Sequence, residues 1–282
     1  LVWWGRSDKA RRLFFCQREA VETAIYLLEL RLPGRSSRTG FKRFEVSDDD
    51  VKRLLRGERP DWRELDYEGL IQFPTLVDLP ANPDLLPLTR LGCKMATGAG
   101  KTVVMGMLVA WAFCNRGRNP GTRDFPGAIL IVCPNLTVKG RLQVLRTEIE
   151  GNYYDEFDLV PAKYRHHLRE GKVLVTNWHA LALKSEHTEG DSSYRVVDKG
   201  EETNDAFALD RLGELAGRMP ILVMNDEGHH CWRPKPKPEE EVQLEKGLSR
   251  EEKKEIETEE EEARVWLAGL DRINNSGLVG KG

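Results

Sequence analysis

The chain has 282 residues, of which 40% are hydrophobic and 32% charged, enough to build one large α/β domain or two small ones around a real core. Its longest apolar run, Val103–Phe113, contains a glycine and is too short to cross a bilayer, and the opening Leu-Val-Trp-Trp-Gly-Arg does not read as a secretory signal. The net charge of −3 argues at first against a nucleic-acid partner. It hides an asymmetry, however: residues 234–262 hold twelve Glu against six Lys and Arg, and the rest of the chain holds 37 basic against 34 acidic residues. A mildly basic body is compatible with a phosphate track without establishing one. The five cysteines, Cys16, Cys93, Cys114, Cys133 and Cys231, form no CxxC pair. They read as buried free thiols of a cytoplasmic protein rather than as a zinc site.

In chain order, residues 11–32 predict a helix, with Leu13, Phe14, Ala20, Val21, Ala24, Ile25, Leu27 and Leu28 at helical spacing and Pro33-Gly34 as its stop. Residues 35–86 are rich in charge and proline, with a short helix expected around Asp48–Leu55. Residues 1–87 thus read as a helical lead-in. From residue 88 onward four short apolar runs appear, at Leu91–Met95, Ile129–Cys133, Val173–Val175 and Ile221–Met224, with helical stretches between them. That alternation predicts an α/β fold, a parallel sheet flanked by helices over residues 88–282. Ligands of such sheets sit beyond the carboxyl ends of the strands. Two segments break the rhythm. Residues 184–208 read as a polar loop excursion around Gly190-Asp191-Ser192-Ser193. Residues 234–262 open with Pro-Lys-Pro-Lys-Pro and continue as an acidic insert with few apolar residues, chiefly Val242, Leu244, Leu248 and Ile256. The insert is therefore expected to be dispensable for the fold. Both ends of the chain read as cuts.

The first run ends in Met95-Ala-Thr-Gly-Ala-Gly-Lys-Thr102. A glycine-rich turn between strand and helix lets the backbone N–H groups of Thr97, Gly98, Ala99 and Gly100 close around phosphate oxygens. Lys101 can then reach the β- and γ-phosphates of ATP, and the Thr102 hydroxyl can take a Mg²⁺ position. Met95 stands where the usual phosphate-loop pattern opens with glycine, and a chance glycine turn is the bland alternative. The last run ends in Asn225-Asp226-Glu227-Gly228-His229-His230. Two adjacent carboxylates at a strand end can divide phosphoryl transfer between them: Asp226 holds the magnesium and Glu227 polarises the attacking water, with His229 counted in the same set. The alternatives are an acidic surface turn, and a lone metal site on His229 and His230. Adjacent residues on an extended segment point apart, which weighs against the latter.

Together these residues resemble motifs I and II of superfamily 2 helicases and translocases. Leu13-Phe-Phe-Cys-Gln-Arg-Glu-Ala20 resembles the upstream glutamine motif. Ile131-Val-Cys-Pro-Asn-Leu-Thr-Val-Lys139 and Val175-Thr-Asn-Trp-His-Ala180 stand where motifs Ia and Ib belong. The wording is most similar to the ATPase subunits of type III restriction enzymes, and the likeness runs from about residue 10 to 232. It implies a RecA-like, P-loop NTPase first motor domain that uses ATP and Mg²⁺. It implies that Gln17 reads the adenine edge, which an amide can do by donating and accepting at once; an ordinary helix glutamine is the alternative. It implies that Pro134, Asn135, Thr137, Thr176 and Asn177 lie along one strand of a nucleic acid, double-stranded DNA, and contact its phosphates rather than its bases, although Asn and Thr after a strand are equally ordinary helix caps. Trp178 reads as a core residue sooner than a base-stacking one. The sequence departs from the pattern at Gly228, where the best-known relatives have alanine. No Ser-Ala-Thr motif follows motif II, and neither a second motor domain with its arginine fingers nor a nuclease triad is recognisable. The resemblance therefore implies an ATP-driven DNA translocase of a restriction or defence system that needs a second motor domain, with a methyltransferase or specificity subunit as candidate partner. An RNA helicase and a phosphate-loop small-molecule kinase or nucleotide switch are the rival readings.

Overall fold

Three of the four apolar runs become strands. The computed structural model describes residues 1–29, 91–121, 125–182, 202–231 and 249–276, divided into two units, Leu1–Leu108 and Val109–Gly282. The expected helix near Asp48–Leu55 lies outside the described residues.

In the first unit, helix α1 spans Phe15–Glu29 and starts four residues later than the sequence spacing suggests; residues 30–32 lie outside the described residues. Leu13 and Phe14 precede it, and Phe14 is exposed. The start is fixed by Gln17, at the third helical position, whose side-chain oxygen accepts the Phe14 N–H at 2.8 Å, as the second half of a capping box does. Val21 and Ile25, one turn apart, are its buried apolar residues among those described, and Gln17, one turn before Val21, is buried with them. Helix α2, Lys101–Arg118, follows the glycine turn, and the division between the units falls within it. The expected strand at Leu91–Met95 is corrected: the segment is irregular, and Leu91, Gly92, Cys93 and Lys94 are exposed. Its alternation places Gly92 and Lys94 between the apolar residues, so one face has little to bury. The other three runs are continuously apolar.

In the second unit, β1 (Ala128–Cys133), β2 (Lys172–Asn177) and β3 (Ile221–Asn225) form a parallel sheet in the order β2-β1-β3. The central strand is Ala-Ile-Leu-Ile-Val-Cys and is buried along its whole length, as expected for a parallel strand covered on both faces. Val132 lies opposite Thr176 on one side and Asn225 on the other, so the carboxyl ends of all three strands are level. Between β1 and β2 run α3 (Leu136–Leu142), α4 (Tyr153–Glu156) and α5 (Arg165–Glu170). Helix α6 (Asn204–Leu212) leads to β3, and α7 (Arg250–Asn275) closes the described chain.

Alternate residues of β1, namely Ala128, Leu130 and Val132, face a core made with Phe207 and Leu212 of α6 and Trp266, Leu270 and Ile273 of α7. Two expectations change here. The polar excursion at 184–208 does not extend to its end, because Phe207 and Ala208 are fully buried core residues; residues 183–201 lie outside the description. The acidic insert runs on into a core helix, although none of its described side chains within 249–262 is itself buried. Its last thirteen residues form the first half of α7, opened by a capping box between Ser249 and Glu252. The same helix then buries Ala263, Trp266, Leu267, Leu270 and Ile273 on one stripe. Replacing 236–260 would remove that cap, which contributes about 1 kcal/mol, but would spare the buried stripe.

Two glycines allow close packing in this unit. A Cβ at Gly171 would fall 2.2 Å from the Phe113 ring, and one at Gly269 on α7 would fall 2.5 Å from Leu181 Cβ and 3.0 Å from the Leu181 carbonyl oxygen. Alanine in a helix gains about 1 kcal/mol over glycine, whereas overpacking costs about 1–3 kcal/mol. Because the clash at Gly269 includes backbone, the second effect wins. Gly269→Ala is expected to lower the denaturant midpoint without changing the slope of the transition. An unchanged or raised midpoint would show that α7 is not seated on Leu181. All five cysteines are free thiols. Only Cys133 is fully buried, and Cys16 and Cys93 are exposed, so the expectation of buried thiols holds for a minority of them.

Candidate nucleotide and nucleic-acid site

The glycine turn has the backbone that a phosphate cradle needs. Gly98 and Gly100 sit at φ +79° and +80°, in the left-handed region that glycine enters without a side-chain penalty. The Ala99 N–H donates to the Ala96 carbonyl at 3.2 Å, and the N–H groups of Val103 and Val104 both donate to the Gly100 carbonyl, at 2.9 and 3.3 Å. Helix α2 therefore starts at once, at Lys101, with no acidic side chain in its first turn to offset its positive end. Thr97 and Gly98 are exposed, and Ala99, Gly100, Lys101 and Thr102 are half-buried. The residues are at the loop's surface with their helix behind them.

Gln17 is buried against this loop. Its amide nitrogen donates to the Ala99 carbonyl at 3.0 Å while its oxygen accepts the Phe14 N–H. A Cβ at Gly100 would lie 2.2 Å from that nitrogen, so the second loop glycine is required twice, by its φ and by the glutamine beside it. One amide thus joins the start of α1 to the phosphate loop. The sequence flags Gln17 by resemblance but gives no sign of the Ala99 contact, which joins residues 82 positions apart.

At the end of β3 the chain keeps one more ladder bond, from the Asp226 N–H to the Val132 carbonyl at 2.9 Å. Glu227 then turns left-handed at φ 53°, ψ 46°, a conformation that costs a non-glycine residue about 1 kcal/mol or more. Its carboxylate lies 3.4 Å from His229 Nδ1. Burial, and after it the charge of Asp226, push the Cys133 thiol above its ordinary range. Gly228 is not required by space, since a Cβ there would make only ordinary contact, 3.7 Å from Asn225 Cβ. The expectation that His229 and His230 point apart on an extended segment is corrected. Gly228–His230 forms a 3-10 turn, with the two rings 4.2 Å apart. Among the described residues no third His, Cys, Asp or Glu joins them as a metal-ligand group.

The same edge carries the motif Ia and Ib residues, because the strand ends are level. Pro134 is half-buried, Asn135 and Thr137 are exposed, and Asn177 is half-buried. Asn135 is the N-cap of α3, its side-chain oxygen accepting the Val138 N–H at 2.9 Å. The Asn177 amide nitrogen lies 3.2 Å from His179 Nδ1. Thr176 departs from the expected set: it is buried, with its hydroxyl donating to the Asn177 carbonyl at 3.4 Å. A β-strand alternates its side chains, so Thr176 and Asn177 could not both face outward. Trp178 packs against the core and stacks on His179 at 3.8 Å.

Sequence reading missed one neighbour of motif II. Trp266 of α7 donates from Nε1 to Asn225 Oδ1 at 3.0 Å, and Glu262, one turn earlier, lies 3.9 Å from His230 Nδ1. The available signal was the helical spacing of Ala263, Trp266, Leu267 and Leu270 directly after the glutamate run.

No helix among the described residues is long and apolar enough to cross a membrane. No curated protein and no solved structure matches the chain. Residues 87–267 match the family described as type III restriction enzyme, res subunit, a stretch that begins just before the phosphate loop and ends within α7. With a parallel RecA-like sheet, a glycine phosphate loop and Asp226-Glu227 at a strand end, the chain belongs to the type III restriction enzyme res subunit family, as a helicase-like ATPase motor domain.

Proposed function

We propose that this chain is the ATP- and Mg²⁺-binding first motor domain of a nucleic-acid-dependent DNA translocase of a restriction or defence system, completed by a second motor domain. The observation that carries the reading is the pair of left-handed glycines, Gly98 and Gly100, directly before the helix that starts at Lys101. Left-handed glycines directly before a helix suit a loop whose N–H groups take a phosphate. Lys101 pairs with the β- and γ-phosphates, and Gln17 takes the adenine edge. Thr102 and Asp226 supply the hard oxygen donors that suit Mg²⁺, an ion that spreads the negative charge of the phosphates. Glu227 orients the attacking water, with His229 beside it. Asn135, Thr137 and Asn177 meet the nucleic-acid backbone; Thr176 does not.

Arginine fingers from a partner domain are worth about 10³–10⁵ in rate in related chemistry. The isolated chain is therefore expected to bind ATP, to hydrolyse it near background, and to bind DNA weakly and in a salt-sensitive way. The test is steady-state ATPase of the purified chain and of the full-length protein, each with double-stranded DNA, single-stranded DNA or RNA across a salt series. DNA stimulation of the full-length protein alone supports the reading. Stimulation by RNA only would assign an RNA helicase, and robust DNA-stimulated turnover by the isolated chain would show that no second domain is needed.

A further inference from the structure

Helix α7 touches motif II on both sides. Asp226 and Glu227, the two carboxylates of the motif, are flanked by Asn225 before them and His230 after them. Trp266 donates to the Asn225 side chain at 3.0 Å, and Glu262 faces His230 at 3.9 Å. Residues 262 and 266 are four apart, so they sit one above the other on a single face of the helix. The span they bridge, 225–230, contains Glu227 in a left-handed conformation; the Asp226 N–H extends the sheet ladder to Val132, and the His230 N–H closes a turn on the Glu227 carbonyl.

The two contacts differ in what holds them. Trp266 is fully buried, on the same stripe as Leu270 and Ile273 that covers β1, so its indole N–H is fixed in place by the core. Asn225 is exposed at the strand end and could face water. Its amide oxygen instead takes the one donor that a buried tryptophan offers. The core thus dictates the rotamer of the residue directly before Asp226. Glu262 is mostly buried, and its Oε1 has no hydrogen-bond partner among the described residues. Its other oxygen faces the imidazole on the far side of the turn.

We infer that α7 is the positioning element of motif II, with Trp266, acting through Asn225, as a positioning residue for the Asp226-Glu227 pair. The inference rests on the ATPase reading above. Trp266 touches neither nucleotide nor water in this scheme. It holds the strand end from which both carboxylates project, so its loss should affect the turnover step and not ATP binding.

The experiment measures kcat and KM for ATP in the full-length protein with DNA, together with the melting temperature. Trp266→Phe keeps the aromatic volume and loses the N–H. Asn225→Ala removes the acceptor at an exposed position without disturbing the core. Each is expected to lower kcat by about three- to tenfold, the range of one hydrogen bond, with KM within twofold of wild type, and Asn225→Ala should leave the melting temperature unchanged. Asn225→Asp keeps an acceptor oxygen and should restore turnover. The double variant should be no slower than the slower single one. Wild-type kcat in Asn225→Ala overturns the inference, and so do additive effects of the two changes or a failure of Asn225→Asp to restore turnover. Should Trp266→Phe fail to fold, Asn225→Ala and Asn225→Asp decide alone. Lys101→Ala separates the two levels: retained turnover there removes the ATPase reading itself, whereas lost turnover there with a wild-type Asn225→Ala removes only the role of α7.

Discussion

Replacing Glu227 by glutamine is expected to leave ATP affinity near wild type and to lower turnover by the full-length protein about 10²- to 10⁴-fold, the range that a positioned general base supplies. The change keeps the length and planarity of the side chain and removes only its charge. The backbone argument supports this choice over alanine or glycine. Glu227 is held at φ 53°, and glycine would relieve that conformation while deleting the carboxylate, mixing two effects. Glutamine keeps the same strain, so folding is unaffected and the kinetic change reports the chemistry. His229 Nδ1, 3.4 Å from the Glu227 carboxylate, would lose an anionic neighbour as well. Titration of a fluorescent ATP analogue and a steady-state ATPase assay with DNA check both halves. Retained turnover would mean that another group activates water.

Lys101→Ala should weaken ATP binding by the chain at least about a hundredfold. Hydrogen bonds to a charged group contribute roughly 1.5–3 kcal/mol each, and Lys101 is expected to make more than one to the β- and γ-phosphates. The substitution lies in the first turn of α2 at a half-buried position, and alanine is a good helix former, so the fold should survive. Calorimetric titration with ATP, alongside the melting temperature, is the measurement. Unchanged affinity in a folded variant would remove the phosphate-loop reading and return the glycine turn to an ordinary surface loop.

The parts of this fold that local chemistry dictates were legible in the sequence. Ala128–Cys133 is apolar without a break, and no polar residue competes with its burial, so a central parallel strand follows. Gly98 and Gly100 announce themselves because left-handed backbone before a helix calls for glycine. What stayed hidden depends on partners distant in sequence. Leu91–Met95 reads as a strand by composition, but Gly92 and Lys94 leave it only half a face to bury. The glutamates of 251–262 dominate the average over their segment, which concealed the stripe from Ala263 to Ile273. The left-handed turn at Glu227 carries no local signal, since glutamate has no preference for it. The buried orientation of Thr176 follows from register: a one-residue slip would have exposed it and buried Asn177. Gln17 shows a mixed case. Its identity pointed to a nucleotide, yet its hydrogen bonds run to Phe14 and Ala99, contacts that only the folded backbone creates.

The position of Trp266 and Ile273 in the chain also sets a schedule for folding. They cover the face of β1 formed by Ala128, Leu130 and Val132, more than a hundred residues earlier. At a synthesis rate of about 5–20 residues per second, that face leaves the ribosome well before the helix that seals it, an interval on the order of ten seconds. Until then the central strand presents an unshielded aliphatic surface, and pairings over such sequence distances form slowly. The glutamate-rich first half of α7 emerges just ahead of the sealing stripe. With twelve Glu against six Lys and Arg over residues 234–262, that segment adds like-charge repulsion between neighbouring chains as soon as it emerges.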